Sequence, residues 1–104
     1  MKTTTINFVN DFTDCPGGRL KIYGEYSGEE FREKWLEPAL TEHDRVVLNL
    51  NGAMGFPASF IDEAFGVLVA ERGEAEVNRK LVIQLDDNPI ALAEIREAMA
   101  AHAA

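Results

Sequence analysis

Two pairs of adjacent carboxylates are the residues of this 104-residue sequence best suited to acid–base chemistry. Asp62 and Glu63 lie within the stretch SFIDEAF, whereas Asp86 and Asp87 end the apolar run KLVIQLDD. Adjacent residues of a helix point about 100° apart, so the first pair would need a substrate held between its members. Acids at strand ends are common in α/β active sites, but Asp-Asp-Asn-Pro is more simply a turn and a helix cap. We therefore predict that the chain is not an enzyme.

Residue patterns typical of metal, phosphate or nucleophile chemistry are sparse. His43 and His102 are the only histidines, and neither has neighbours at metal-ligand spacing, so we expect no metal and no cofactor. The segment NGAMGFPAS lacks the lysine of a phosphate-binding loop, and Ser59 lacks the flanking glycines of a nucleophile elbow. One alternative function stays open. The loop 52–59 and the helix N-terminus after it could bind a small anionic ligand or nucleotide, or serve a minor enzyme.

The overall charge excludes several classes of partner. The chain has 18 acidic and 10 basic residues and a net charge of −8, which argues against nucleic acid and against an anionic membrane surface. Its single cysteine, Cys15, cannot form an internal disulfide, and no apolar run is long enough for a signal peptide or a membrane span. We expect a cytoplasmic protein with one domain over residues 1–104.

The first third of the chain predicts a hairpin and a helix. Segment 5–12 has apolar residues at a two-residue period, and a Pro-Gly-Gly turn leads to the short run RLKIYG, so two paired strands are expected. Ser27 and Glu30 form a capping box for the helix that follows. Pro38 should kink or end that helix because it has no amide proton.

Two apolar runs, 45–51 and 80–86, predict central strands covered on both faces. A helix of about 14 residues lies between them, and another begins after Asn88 as its cap, with Pro89 in the first helical position. The sequence therefore predicts a single α/β domain with a mixed four-stranded sheet in the order β-β-α-β-α-β-α.

The helix between these two strands has an unusual outer side. Its predicted core side consists of Phe60, Ile61, Ala64, Phe65 and Leu68. Its opposite side carries Ser59, Asp62, Glu63, Gly66 and Ala70, flanked by Val67 and Val69. A glycine inside a helix costs about 1 kcal/mol relative to alanine, which indicates that another backbone approaches closely at Gly66. That backbone belongs either to a partner protein or to a neighbouring part of the same chain.

The loop before this helix extends the candidate surface. Phe56 either packs into the core or stands exposed as an aromatic anchor for a partner. Ser59 occupies the expected N-cap position, and its hydroxyl is also a candidate phosphorylation site. The complete predicted partner surface consists of Met54, Phe56, Ser59, Asp62, Glu63, Gly66, Val67 and Ala70.

The central sequence resembles a STAS domain, the fold of the anti-sigma-factor antagonists. The resemblance is carried by VVLNLNGA, MGFPAS and FIDEAFGVLV, which match a strand, a loop and a helix start of that family. SFIDEAF and GRLKIYGEYSGEEFREKWL are more similar still to a group of bacterial STAS-like domains of unknown function. The similarity covers about residues 19–86.

The resemblance implies a protein-interaction module of bacterial regulation, whose partner is a kinase or ATPase with a GHKL-type ATP-binding fold. In the family, a serine after the conserved aspartate is phosphorylated by that partner. Here Asp62 matches the aspartate, but Glu63 and Ala64 replace the serines. We expect a domain that binds constitutively, with Ser59 as the alternative phosphoacceptor. Compared with a full STAS domain, we expect this domain to stop one strand and one helix short, which leaves an edge for a partner or for a homodimer.

Overall fold

The computed structural model describes residues 1–103, which form a three-stranded parallel sheet with helices packed on it. The strands are β1 (Thr3–Asn7), β2 (Arg45–Asn49) and β3 (Leu81–Gln84), and β2 lies in the centre. Thr5 is in register with Val47, and Val47 with Val82. The expectation of an α/β domain is therefore met, but the sheet of the described residues has three parallel strands and not four mixed ones.

The predicted hairpin is wrong because the first strand ends at Asn7. Phe8–Asp11 forms a short helix, α1, and Phe12 caps its carboxyl end. Phe8 and Phe12 are four residues apart, a spacing that suits one face of a helix as well as one face of a strand. In the helical turn their rings lie 5.4 Å apart, and Phe8 is fully buried.

The segment predicted as the second strand is a loop with one 3-10 turn, Lys21–Tyr23. Its backbone groups bond to the start of the next helix: the carbonyls of Gly18 and Arg19 accept hydrogen bonds of 2.9 and 3.0 Å from the amides of Gly28 and Glu29. The alternation of Leu20 and Ile22 misled the prediction, because Ile22 is 82% exposed and packs against no sheet.

The helix α2 runs over residues 28–42 as Gly28–Phe31, a wide π turn Arg32–Leu36, and Glu37–Glu42. The capping prediction is confirmed at Ser27, whose Oγ accepts a hydrogen bond of 3.0 Å from the Glu30 amide. Pro38 does not end the helix. The Glu37 amide bonds to the Arg32 carbonyl five residues back, and Pro38 follows this widened turn near the start of the last helical segment.

The helix α3 runs over residues 58–72 and also has a central π turn, Asp62–Gly66. It begins one residue before the predicted cap, so Pro57 occupies the N-cap position and Ser59 caps nothing. Two helices follow: α4 (Glu74–Lys80) precedes β3, and α5 (Pro89–His102) follows it. The cap of α5 is Asn88 as predicted, with a bond of 3.1 Å from the Ala91 amide.

All the long helices pack on the same side of the sheet. Right-handed crossovers between parallel strands in the order β1-β2-β3 place α2 and α3 on one face. Ile6 and Leu48 point to that face and are buried, whereas Thr5 and Val47 point to the other. The helix α3 contacts both α2 and α5, so it is packed on more than one side. None of the described helices is long and apolar enough to cross a membrane.

Candidate functional site

The two acids of SFIDEAF lie in the π turn of α3, and each bonds to an arginine. Asp62 Oδ2 accepts a hydrogen bond of 2.6 Å from Arg19 Nη1, and its Oδ1 lies 2.7 Å from His102 Nε2. The bond from Arg19 and then that from His102 hold the pKa of Asp62 below its ordinary value. A carboxylate with a lowered pKa is a weak proton acceptor near neutral pH, so the arrangement favours a structural role for Asp62.

Glu63 connects α3 to α2 inside the protein. Its Oε2 accepts a hydrogen bond of 3.0 Å from Arg32 Nη2, and its Oε1 lies 3.7 Å from Arg19 Nη1. The side chains of Arg32 and Glu63 are only 10% and 11% exposed. Arg32 Nη1 also bonds to Glu71 Oε1 at 2.7 Å and lies 3.6 Å from Glu37 Oε2. The buried charges are thus paired, as charges in a protein interior must be.

The ion pairs continue from α2 to the end of α3. Glu37 Oε1 accepts a bond of 2.5 Å from Arg72 Nε, and Arg72 Nη1 lies 2.9 Å from Glu76 Oε2 on α4. Arg72 also donates to the hydroxyl of Thr41. A single chain of ion pairs therefore ties the 19–26 loop, α2, α3 and α4 together, and the contact of His102 with Asp62 adds α5.

Gly66 does not face a partner surface, because the carboxyl end of α5 covers it. A Cβ atom at Gly66 would lie 2.5 Å from His102 Cδ2 and 2.7 Å from His102 Nε2. The close approach inferred from the glycine is confirmed, but the approaching group is a side chain of the same chain and not another backbone. The prediction of an open outer face is therefore wrong at Gly66 and at the buried Glu63, while Val67 is half-buried and Ala70 is exposed.

The loop between β2 and α3 has one buried and one exposed apolar residue. The Phe56 ring lies 5.6 Å from the ring of Phe8 and 6.1 Å from that of Phe60, so it packs against the core and is no exposed anchor. Met54 is 79% exposed. Its amide donates a hydrogen bond of 2.8 Å to the carbonyl of Asp14, which fixes the position of the loop tip.

The turn that contains Asp86 and Asp87 is hydrogen-bonded to this same loop. Asn51 Oδ1 accepts hydrogen bonds of 2.7 and 3.2 Å from the amides of Asp86 and Asp87. Asp87 Oδ2 accepts one of 2.8 Å from the Gly52 amide. These bonds place Asp86 and Asp87 in a turn, which agrees with the prediction that Asp-Asp-Asn-Pro forms a turn and a helix cap.

Ser59 lines an open groove of about 380 Å³ between α3 and α5. The charged residues that line it are Arg19, Asp62, Glu94 and Glu97. Three carboxylates outnumber one guanidinium, which is itself bonded to Asp62. The charge of the groove therefore disfavours an anionic ligand, even though a helix begins beside it. Within residues 1–103, no group of three or more histidine, cysteine or acidic side chains could hold a metal ion.

Two exposed apolar residues of the 19–26 loop were not singled out from the sequence. Ile22 and Tyr23 are 82% and 83% exposed, on a 3-10 turn whose first residue, Lys21, is bonded to α2. The Lys21 amide donates a hydrogen bond of 3.0 Å to Glu29 Oε1, and Lys21 Nζ lies 2.5 Å from Glu33 Oε1. The sequence signal for this exposed pair was its position between the Pro-Gly-Gly turn and the Ser27 cap. A half-buried strand explains the same residues equally well, so the exposure was not predicted.

A comparison with family models assigns the chain. Residues 27–91 match the model of a family described as a STAS-like domain of unknown function (DUF4325). The matched segment begins at the Ser27 cap and includes Arg32, Asp62 and Glu63, so both acids of SFIDEAF and one arginine that they bind lie within it. No curated protein and no solved structure shows significant similarity to the chain. The resemblance drawn from the sequence is confirmed: the chain belongs to this family of STAS-like domains.

Proposed function

We propose that the chain is a non-catalytic protein-interaction module of bacterial regulation that acts in the cytoplasm. Its contact surface is the knuckle surface, which we define as Ile22 and Tyr23 with the neighbouring groove at Ser59 and Asp62, together with the loop tip at Met54. The observation that carries the proposal is the pair Ile22 and Tyr23, two large apolar side chains more than four-fifths exposed on a fixed turn.

Large apolar side chains on a rigid element are well suited to partner binding. Tyrosine is enriched among residues that dominate binding energy, because one ring buries much surface. The bonds of Lys21 to Glu29 and Glu33 hold the turn in place before any partner arrives. A fixed turn loses little conformational entropy on binding, so more of the contact energy appears as affinity.

The ion-pair chain joins this turn to the family motif. Arg19 lies two residues before Lys21, and its guanidinium bonds to Asp62 at 2.6 Å. A change in the position of Asp62 in α3 would therefore also shift Arg19 and the adjoining turn that carries Ile22 and Tyr23. The shared link supports one continuous contact surface over both segments.

The partner class follows from the family resemblance. STAS-type antagonists bind kinases or ATPases with a GHKL-type fold, and we propose the same class here. The position after Asp62 is occupied by Glu63, which is buried and bonded to Arg32. This arrangement supports constitutive binding without the usual phosphoserine switch. Ser59, which lines the groove, stays the candidate phosphoacceptor.

The test compares three tagged baits in a lysate of the source bacterium. They are the intact chain, an Ile22→Ser/Tyr23→Ser double variant, and Ile90→Ser as a matched control. Ile90 is 74% exposed and lies outside the knuckle surface. We expect a GHKL-type ATPase or kinase to be retained by the intact chain and by Ile90→Ser but lost with the double variant. Calorimetry on the purified partner should then show affinity reduced at least about 10-fold.

Circular dichroism and thermal melts establish that all three baits are folded. Recovery of the same proteins by the double variant and the intact chain would show that the knuckle surface does not bind them. Recovery of nothing specific by any bait would contradict the proposal of a stable protein partner.

A further inference from the structure

One face of the sheet has no second layer among the described residues. The row Thr5, Val47 and Val82 crosses all three strands on the side away from the helices. Val47 and Val82 are half-buried and do not belong to the hydrophobic core, although Val47 is at the centre of the central strand. Parallel sheets are normally covered on both faces, so this face is an unusual surface to leave in water.

The charge of this face differs from that of the rest of the molecule. The outward positions of the strands are occupied by threonine, valine, asparagine, glutamine and one arginine, Arg45, and by none of the chain's 18 acids. A net charge of −8 opposes self-association wherever acidic surfaces meet. The outer face of the sheet is a place where two copies can meet without that repulsion.

The two edges of the sheet carry opposite charge. A recess at the amino-terminal edge is lined by Met1, Arg45, Arg79 and Lys80, with Asp44 as its one acid. The segments 8–18, 50–57 and 85–88, which leave the carboxyl ends of the strands, contain four aspartates and no lysine or arginine. The sheet is therefore basic at one edge and acidic at the other.

We propose that a second copy of this chain covers the outer face of the sheet, forming a two-fold symmetric dimer with the two sheets face to face and their strands antiparallel. Val47 and Val82 of each copy lie at the centre of the interface. An antiparallel arrangement places the basic edge of each copy over the acidic edge of the other. Because of the two-fold symmetry, this contact between opposite charges occurs twice in the dimer. A parallel arrangement would bring Arg45 toward Arg45 and is disfavoured. The surface is on the opposite side of the sheet from α3, so this proposal does not depend on the one above.

Sedimentation equilibrium of the full chain from roughly 1 µM to 1 mM tests the dimer. We expect a mass that rises with concentration to twice that of the monomer and an association that weakens at high salt, because the edge charges are exposed. Val47→Glu buries an unpaired charge in each copy and should raise the dissociation constant by about 100-fold or more. The control Ala93→Glu adds the same charge at an exposed position of α5, on the helical side, and should leave the dissociation constant within about 3-fold, because only a longer-range repulsion acts there.

Charge exchange tests the orientation. Arg45→Glu alone and Asp86→Lys alone should each weaken the dimer, and the Arg45→Glu/Asp86→Lys double variant should recover association, because its opposite charges meet only when the strands of the two copies are antiparallel. A double variant that associates no better than the single variants would overturn the antiparallel arrangement.

Two results would overturn the dimer itself. One is a monomer at every concentration, which would leave the face to another occupant. The other is a dimer that Val47→Glu does not affect, which would use a different surface. Circular dichroism reports whether Val47→Glu is folded. If it is not, Thr5→Lys at the exposed neighbouring position replaces it with the same expected loss.

Discussion

Arg32 Nη2 donates a hydrogen bond of 3.0 Å to Glu63 Oε2 where both side chains are almost completely removed from solvent. Each residue lies in the π turn of its helix, so the pair joins the two irregular turns of α2 and α3. A π turn places one extra residue in a turn of a helix and is frequent at functional sites. Here the buried ion pair of Glu63 with Arg32 lies at two such turns.

Removal of Arg32 should be severely destabilising. Arg32→Leu leaves the buried Glu63 with only Arg19, at 3.7 Å, and should cost about 3–5 kcal/mol of unfolding free energy. Glu63→Leu should cost less, because Arg32 keeps its ion pairs with Glu71 and Glu37. The double variant should be more stable than Arg32→Leu, because no buried charge is left alone. Urea denaturation of the four proteins measures these values, and additive losses in the double variant would contradict the pairing.

The two helix-start serines should differ in their contribution to stability. Ser27→Ala removes the bond from the Glu30 amide and should cost about 1 kcal/mol. Ser59 lies inside the first turn of α3 and caps nothing, so Ser59→Ala should change stability by less than about 0.5 kcal/mol. Thermal or chemical denaturation distinguishes them. Equal losses at both positions would mean that Ser59 has a structural bond after all.

The contact of Gly66 with His102 predicts coupling between two residues 36 positions apart. With His102 present, a methyl group at Gly66 displaces the imidazole from Asp62 and little stability is gained. In a His102→Ala background, Gly66→Ala should stabilise the protein by about 1 kcal/mol, because alanine has the higher helix propensity. A double-mutant cycle by denaturation measures this difference. An equal effect of Gly66→Ala in both backgrounds would rule out the contact.

Acid should weaken the link between α3 and the 19–26 loop. Because Arg19 and His102 lower the pKa of Asp62, its contribution to stability is present above the unfolded pKa of about 3.9 and is lost as pH falls through the lower folded value. Asp62→Asn should therefore lose less stability than the parent between about pH 5 and pH 2. Denaturant midpoints across this range test the prediction. Identical slopes for the two proteins would show that Asp62 does not contribute.

Periodicity was sufficient to predict the regular part of the fold. The runs 45–51 and 80–86 contain β2 and β3, and Ser27 and Asn88 cap their helices as expected. Periodicity gave the wrong element near Phe8, where a strand was predicted and a helix is found. A spacing of four residues fits the period of a helix and that of a strand. The helix continues past Pro38, and the sequence did not predict this for a different reason: a π turn changes which carbonyl each amide meets, and no side-chain pattern reports that change.

The candidate site was predicted less well because its key contacts are long-range. The sequence indicated close packing at Gly66 but could not identify His102 as the neighbour, since the two belong to different helices. Asp62 and Glu63 were singled out from the sequence, whereas no contact of Arg19 or Arg32 with them was predicted. Helical periodicity places a residue on one side of its own helix and contains no information about which other helix packs there.

The parallel pairing of the strands has a consequence for how the chain acquires its structure. Thr5 pairs with Val47, and Val47 with Val82, so each strand pairing closes a loop of about 40 residues. Because the described strands form no hairpin, no pairing can begin at a short turn. The chain therefore loses the entropy of loop closure before the sheet provides any stabilisation. The helices, whose bonds are local, are the elements that can form first and shorten those loops. Folding of this small domain is thus limited by bringing distant strands together on a helical scaffold.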